Sequence, residues 1–176
     1  LEPSTEFLNG GFEDTCSFMG WTAGDNGLSP LVPWTVCEAN SCAWFTIGSN
    51  SPIEGVRDAL NGFDGATGYE AFLYQDIIVP DENARVTFQD RIQFDGRNPD
   101  TGKPIPSKLP RVYEVQVRDL DNNILEVLHH QEVVLNRKSY TDLGWEKRDF
   151  DISSFAGETV RIYIHLSVSE EFTGPA

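Results

Sequence analysis

Residues 160–168 alternate without a break: Val160, Ile162, Ile164, Leu166 and Val168 fall on one side, and Arg161, Tyr163, His165 and Ser167 on the other. Successive side chains of an extended strand point to opposite faces, whereas apolar positions on a helix recur every three or four residues. Such a run specifies a strand with one face in a core. The period returns in residues 85–95, where Val86, Phe88, Ile92 and Phe94 oppose Thr87, Gln89, Arg91, Gln93 and Asp95. In residues 111–120, Tyr113, Val115 and Val117 oppose Glu114, Gln116 and Arg118. Asp90 interrupts the apolar side of its run, which requires a sheet edge or a hydrogen-bonded partner. Residues 71–79 form a further apolar run, closed by Pro80. Asp121-Asn122-Asn123 has turn chemistry, and residues 124–135 return as a partner strand, which predicts a hairpin.

Helical periodicity is missing from the chain, and residues 51–60 are the one candidate for a short helical turn. Residues 98–110, rich in proline around Gly102, read as a long exposed loop. Many strands joined by proline- and glycine-rich connections predict an all-β fold, a two-sheet antiparallel β-sandwich with jelly-roll topology. The 176 residues fit a single domain with a sizeable core.

The 28 acidic residues against 13 basic ones give a net charge of −15. That charge argues against nucleic acid and against an anionic membrane surface, both of which need a basic footprint. No apolar run approaches the length needed to span a bilayer. Cys37 and Cys42 flank residues 38–41 and are expected to face each other across a hairpin as a disulfide, with Cys16 left over. Disulfide chemistry places the chain outside the cell or at its surface.

Catalytic signatures are absent: there is no nucleophile elbow, phosphate-cradling glycine loop or paired-histidine metalloprotease motif. His129 and His130 are adjacent, so on a strand they face opposite sides and cannot share a metal. The expectation is a protein that is not an enzyme. The polar faces of the best strands carry amides, guanidinium groups and an aromatic ring: Gln89, Arg91 and Gln93, then Gln116 and Arg118 beside Glu114, then Tyr163 and His165. These groups match the hydroxyls of a polysaccharide or other glycan, and a curved sheet would gather them into a concave cleft. The alternative is an adhesion or spacer module with no small ligand. The opening Asn9-Gly10-Gly11-Phe12-Glu13-Asp14 offers a hard-cation site, with the Glu13 carboxylate and backbone carbonyls such as that of Gly11.

Together, Asn9-Gly10-Gly11-Phe12-Glu13 with Gly20-Trp21, then Leu73, Gln75, Ile77 and Val79, then Gly144-Trp145 through Ser153, Phe155 and Gly157 to residues 160–166 resemble the carbohydrate-binding-module-like jelly rolls of secreted glycanases and surface proteins. They are also similar to the extracellular adhesion modules of the meprin type. The resemblance implies a structural calcium at Glu13 and the Gly11 carbonyl, completed by an acid on a closing strand beyond Ala176. It further implies a glycan on the concave sheet and tethering to other domains of a larger secreted protein.

Overall fold

In β4 (Glu70–Ile78), Ala71, Leu73, Gln75 and Ile77 are buried while Phe72, Tyr74 and Asp76 between them are not. This is the two-residue period expected of a strand with one face in a core. The computed structural model describes residues 2–14, 18–28, 32–39, 51–62, 68–97, 101–104, 109–134 and 140–169. The other strands are β1 (Thr22–Asp25), β2 (Val32–Glu38), β3 (Arg57–Gly62), β5 (Arg85–Phe94), β6 (Arg111–Arg118), β7 (Ile124–Val133), β8 (Thr141–Asp151) and β9 (Thr159–Val168).

One layer is an antiparallel sheet in the order β1-β4-β9-β6-β7. The second layer is made of two antiparallel ladders, β5–β8 and β2–β3. Val86 and Phe88 of β5 pack on Val115, Val117, Val160 and Ile162 of the larger sheet. Trp34 of β2 packs on the same face further along, against Tyr69, Ala71, Leu166 and Val168. Both ladders therefore cover one face of the five-stranded sheet.

Two of the chain's crossings between layers run side by side. β4 passes to β5 through residues 79–84, and β8 returns to β9 through residues 152–158, which hold a 3-10 turn at Ser153–Phe155. Val79 N–H donates to the Glu158 carbonyl at 2.8 Å, Gly157 N–H to the Val79 carbonyl at 2.9 Å and Ile152 N–H to the Ala84 carbonyl at 2.9 Å. A double strand wound over both layers in this way is a jelly roll, so the expected antiparallel β-sandwich is the one observed.

Two local expectations are resolved here. Asp90 faces the interior and is hydrogen-bonded: Arg148 Nε donates to its two oxygens at 3.1 and 3.0 Å, and both side chains are mostly buried. Tyr113, on the opposite sheet, has its hydroxyl pushed well up by burial and by Asp90, to which it donates, so the ion pair also ties the layers together. Residues 51–60 do not form a helical turn. Residues 57–62 are β3, paired with β2, and Gly55 just before it takes a positive φ of 65° that stops a helix from starting. Cys37 is buried on β2 opposite Asp58; Cys16 and Cys42 lie outside the described residues, so the expected pairing is not tested there.

Removing one partner of a buried ion pair strands the other. Asp90→Ala is therefore expected to cost about 3–5 kcal/mol in urea unfolding at neutral pH. A loss below about 1 kcal/mol, the value typical of exposed pairs, would contradict an inter-layer role.

Candidate ligand-binding face

β4 buries alternate residues, and cross-strand pairing puts the residues between them on one outer side with their partners on β9 and β6, where Gln116, Arg161 and Tyr163 are covered by their neighbours. One row runs Thr22, Tyr74, Tyr163, Gln116 and Val127, and the next Gly24, Phe72, His165, Glu114 and His130. Asp76, Arg161, Arg118 and Ile124 lie to one side, and Glu70, Ser167, Val112 and Glu132 to the other.

Three rings occupy the centre. Tyr74 and Tyr163 stack with centroids 5.7 Å apart and 13° between planes, and Phe72 stacks on Tyr163 at 5.7 Å and on Tyr74 at 6.0 Å. Gly24 is what admits Phe72, since a Cβ there would lie 2.6 Å from the ring. Arg118 sits 3.7 Å over the Tyr163 ring and Arg161 3.9 Å over the Tyr74 ring, a cation–π arrangement that fixes both guanidinium planes.

A hydrogen-bonded chain crosses this aromatic layer. Arg118 Nε donates to Gln116 Oε1 at 2.7 Å, Gln116 Nε2 donates to Glu114 Oε2 at 2.5 Å, and Glu114 Oε1 meets His130 Nδ1 at 2.7 Å. His165 Nδ1 lies 3.9 Å from Glu114 and its Nε2 3.9 Å from Glu70. Arg161 donates to Asp76 through Nε and Nη2 at 2.7 and 3.0 Å, and through Nη1 to Asn122 of the β6–β7 turn at 2.5 Å. Burial pushes the Glu114 carboxyl up, but hydrogen bonds from His130 and Gln116 outweigh it and hold it below the usual carboxylate range. The hydrogen bond to Glu114 raises His130, and burial lowers His165.

Two clefts border the face. One of about 440 Å³ is lined by Glu70, Val112 and Ser167. The other, of about 230 Å³, is lined by Trp21, Thr22, Tyr74 and Asp76 toward the far end of β4.

Gln116, Arg118, Tyr163 and His165 come together here, as the sequence suggested. Gln89, Arg91 and Gln93 do not. They lie on β5, whose Val86 and Phe88 turn toward the core, so these three face away from the five-stranded sheet on the other side of the sandwich. The single trough expected from the sequence is thus divided between two surfaces. Arg91 and Gln93 are both bonded to Asp142, which also accepts from Tyr140 Oη and Gly144 N–H; with the Arg91 contact foremost, these donors hold its carboxyl far below the usual range. Gln89 Nε2 reaches Glu54 at 3.5 Å. Within the true face Gln116 is 1% exposed with both ends of its amide engaged, so it positions Arg118 and Glu114 rather than touching a ligand. Glu114 lies beside Gln116 and Arg118 as expected, whereas Phe72, Tyr74, Asp76, Arg161 and His130 join the face without being expected from the sequence. The signal for Phe72, Tyr74 and Asp76 was the second face of the run 71–79.

Of the residues expected to hold calcium, Glu13 bonds to the start of β3. Glu13 Oε1 accepts the N–H groups of Val56 and Arg57, each at 2.9 Å, and the Glu13 carbonyl accepts from Arg57 Nη1 at 3.0 Å. Among the described residues no group of three or more acidic, histidine or cysteine side chains is arranged to hold a metal; a site built from the Gly11 carbonyl, Glu13 and an acid beyond Ala176 is not tested by that.

No protein-family model matches the chain, and no curated protein matches it. Among solved structures, it is similar to TmCBM61 in complex with β-1,4-galactotriose at 14% identity and a TM-score of 0.48, covering 93% of this chain and 88% of that one. It is also similar to the enzymatically active domain of bacteriophage CBA120 tailspike protein 4, at 15% identity and a TM-score of 0.43, covering 95% of this chain and 19% of that one. Likenesses at these levels place no ligand on the chain.

The three histidines provide a direct check on this geometry. In an NMR titration, His130 is expected to titrate above the ordinary value of about 6.5, and His165 and His129 below it. The contribution of His130 to stability is present below the unfolded value and lost as pH rises through its raised folded value. That of His165 has the opposite sign, present above the unfolded value and lost as pH falls through its depressed one. A His130 that titrates at or below the ordinary value would contradict the Glu114 contact.

Proposed function

We propose that the chain is a noncatalytic glycan-binding module whose ligand lies along the outer face of the five-stranded sheet. The observation that supports this most is a set of planar hydrogen-bonding groups held over an aromatic layer. Sugar hydroxyls are both donors and acceptors, and a guanidinium, a carboxylate and two imidazoles answer them with both. Because Arg118 is stacked on Tyr163 and tied to Gln116, little side-chain freedom remains to be lost on binding. The six residue steps from the row of Glu70 to that of Asp76 span about 20 Å of strand, room for a short oligosaccharide.

Glycoside cleavage needs two carboxyl groups free to act on one bond. The oxygens of Glu114 are held by Gln116 and His130, which supports a binding role over a catalytic one. A second function, adhesion to a protein, draws support from the β7 edge of the sheet. Ile124, Leu125 and Val127 on the edge strand β7 are 54%, 44% and 45% exposed, an apolar strip where a protein could dock.

Extracellular placement, as part of a larger secreted or surface protein, belongs to the same proposal and carries the Cys37–Cys42 disulfide with it. Thiol titration of the oxidised, denatured chain should then count one free sulfhydryl of the three cysteines. A count of three would remove the disulfide from the account.

The glycan proposal is tested by affinity electrophoresis through a panel of neutral and acidic polysaccharides. At least one polymer is expected to retard the protein. Phe72→Ala should weaken that binding tenfold or more, while Gln89→Ala, on the opposite side of the sandwich, should leave it unchanged. No retardation by any polymer, or loss through Gln89→Ala alone, would contradict the assignment.

A further inference from the structure

We infer that the face recognises an anionic sugar, one bearing a carboxylate or a sulfate, and that Arg118 reads the charge; this rests on the glycan-binding proposal. The observation behind it is an electrostatic imbalance within one row of the sheet. Arg118 on β6 is paired directly with Arg161 on β9, and like charges in directly opposed positions destabilise a sheet. Two guanidiniums side by side call for two carboxylates, and the row supplies one. Asp76 takes Nε and Nη2 of Arg161, and Asn122 takes the remaining Nη1. Arg118 makes its Nε bond to Gln116, a neutral amide.

Five other arginines among the described residues each face a carboxylate. Arg57 is paired with Glu38, Arg85 with Asp149, Arg91 with Asp142, Arg97 with Asp95 and Arg148 with Asp90. In a protein with 28 acidic residues, carboxylates are not scarce. Yet the guanidinium at the centre of this face has no carboxylate partner among the described residues. The nearby Glu114 is turned to Gln116 and His130.

Arg118 is also presented in a form suited to an anion. Its guanidinium carbon lies 3.7 Å from the centroid of the Tyr163 ring and its Nε is held by Gln116, which leaves the two terminal nitrogens as a planar fork. Such a fork matches the paired oxygens of a carboxylate or sulfate, and a charge-assisted bond of this kind is roughly twice as strong as a neutral one. A neutral hydroxyl could bond to the same nitrogens but would leave the row one negative charge short. Since the net charge of −15 repels anions at a distance, selectivity must come from this contact rather than from the overall field.

The test uses matched polymers and isothermal calorimetry: polygalacturonate against its methyl ester, and a sulfated galactan against its desulfated form. At least one charged polymer is expected to bind tenfold or more tightly than its neutral derivative, and the arm in which this occurs identifies carboxylate or sulfate. Arg118→Gln should abolish the preference, and Arg118→Lys, which keeps the charge without the fork, should retain it only in part. Thermal melting verifies that each variant is folded; if Arg118→Gln is not, the Lys variant and the wild-type preference decide. Equal binding of charged and neutral forms, or a preference that survives Arg118→Gln in a folded protein, would overturn the inference and leave the glycan-binding face standing. Failure of the wild type to bind every polymer, charged and neutral, would overturn both.

Discussion

The register of the β4–β9–β6 ladders is the constraint on which everything else depends. Nine residue pairs join β4 to β9 and eight join β9 to β6, so the facing of each side chain is set by its neighbours. Burying Leu73, Ile162 and Val117 on one face obliges Tyr74, Tyr163 and Gln116 onto the other. A slip of one residue would exchange the two sets, placing guanidinium groups in the core and aliphatic chains in water. Core packing and the candidate binding face are thus two outcomes of a single pairing.

The outer face is organised as a layer upon a layer. Aromatic rings cover the backbone, and the polar groups rest on the rings. Gln116 is the hub: almost wholly buried, it orients an arginine with its oxygen and a glutamate with its nitrogen. Tyr163 lies beneath Arg118, so a ligand would meet the guanidinium before it met the ring. Under the proposed function, a sugar would be recognised here through hydrogen bonds and charge rather than by stacking on Tyr163.

Much of the fold was legible because it is written in local periodicity. The strands at 85–94 and 159–168 and the hairpin through Asp121-Asn122-Asn123 follow from alternation and turn chemistry, and Asn122 adopts the positive φ of 69° that asparagine tolerates. Alternation states which residues of one strand share a side, but not which layer the strand joins. That is why Gln89, Arg91 and Gln93 were grouped with Gln116 and Arg118, although β5 pairs with β8 in the second layer. The strand at 57–62 was hidden for a related reason: its partner β2 and the Glu13 carboxylate that receives its first amide are distant in sequence. Phe72 and Tyr74 were overlooked because a run rich in apolar residues conceals the exposed half of its own alternation.

In the proposed function, ligands meet the outer face of the five-stranded sheet and not the outer side of β5 and β8. Amide chemical-shift mapping, with an oligosaccharide cut from whichever polysaccharide binds, addresses it most directly. The account requires perturbations clustered on residues 72–76, 114–118 and 161–165, with β5 and β8 silent. Shifts concentrated around Arg91, Gln93 and Trp145, with the aromatic layer unmoved, would contradict it.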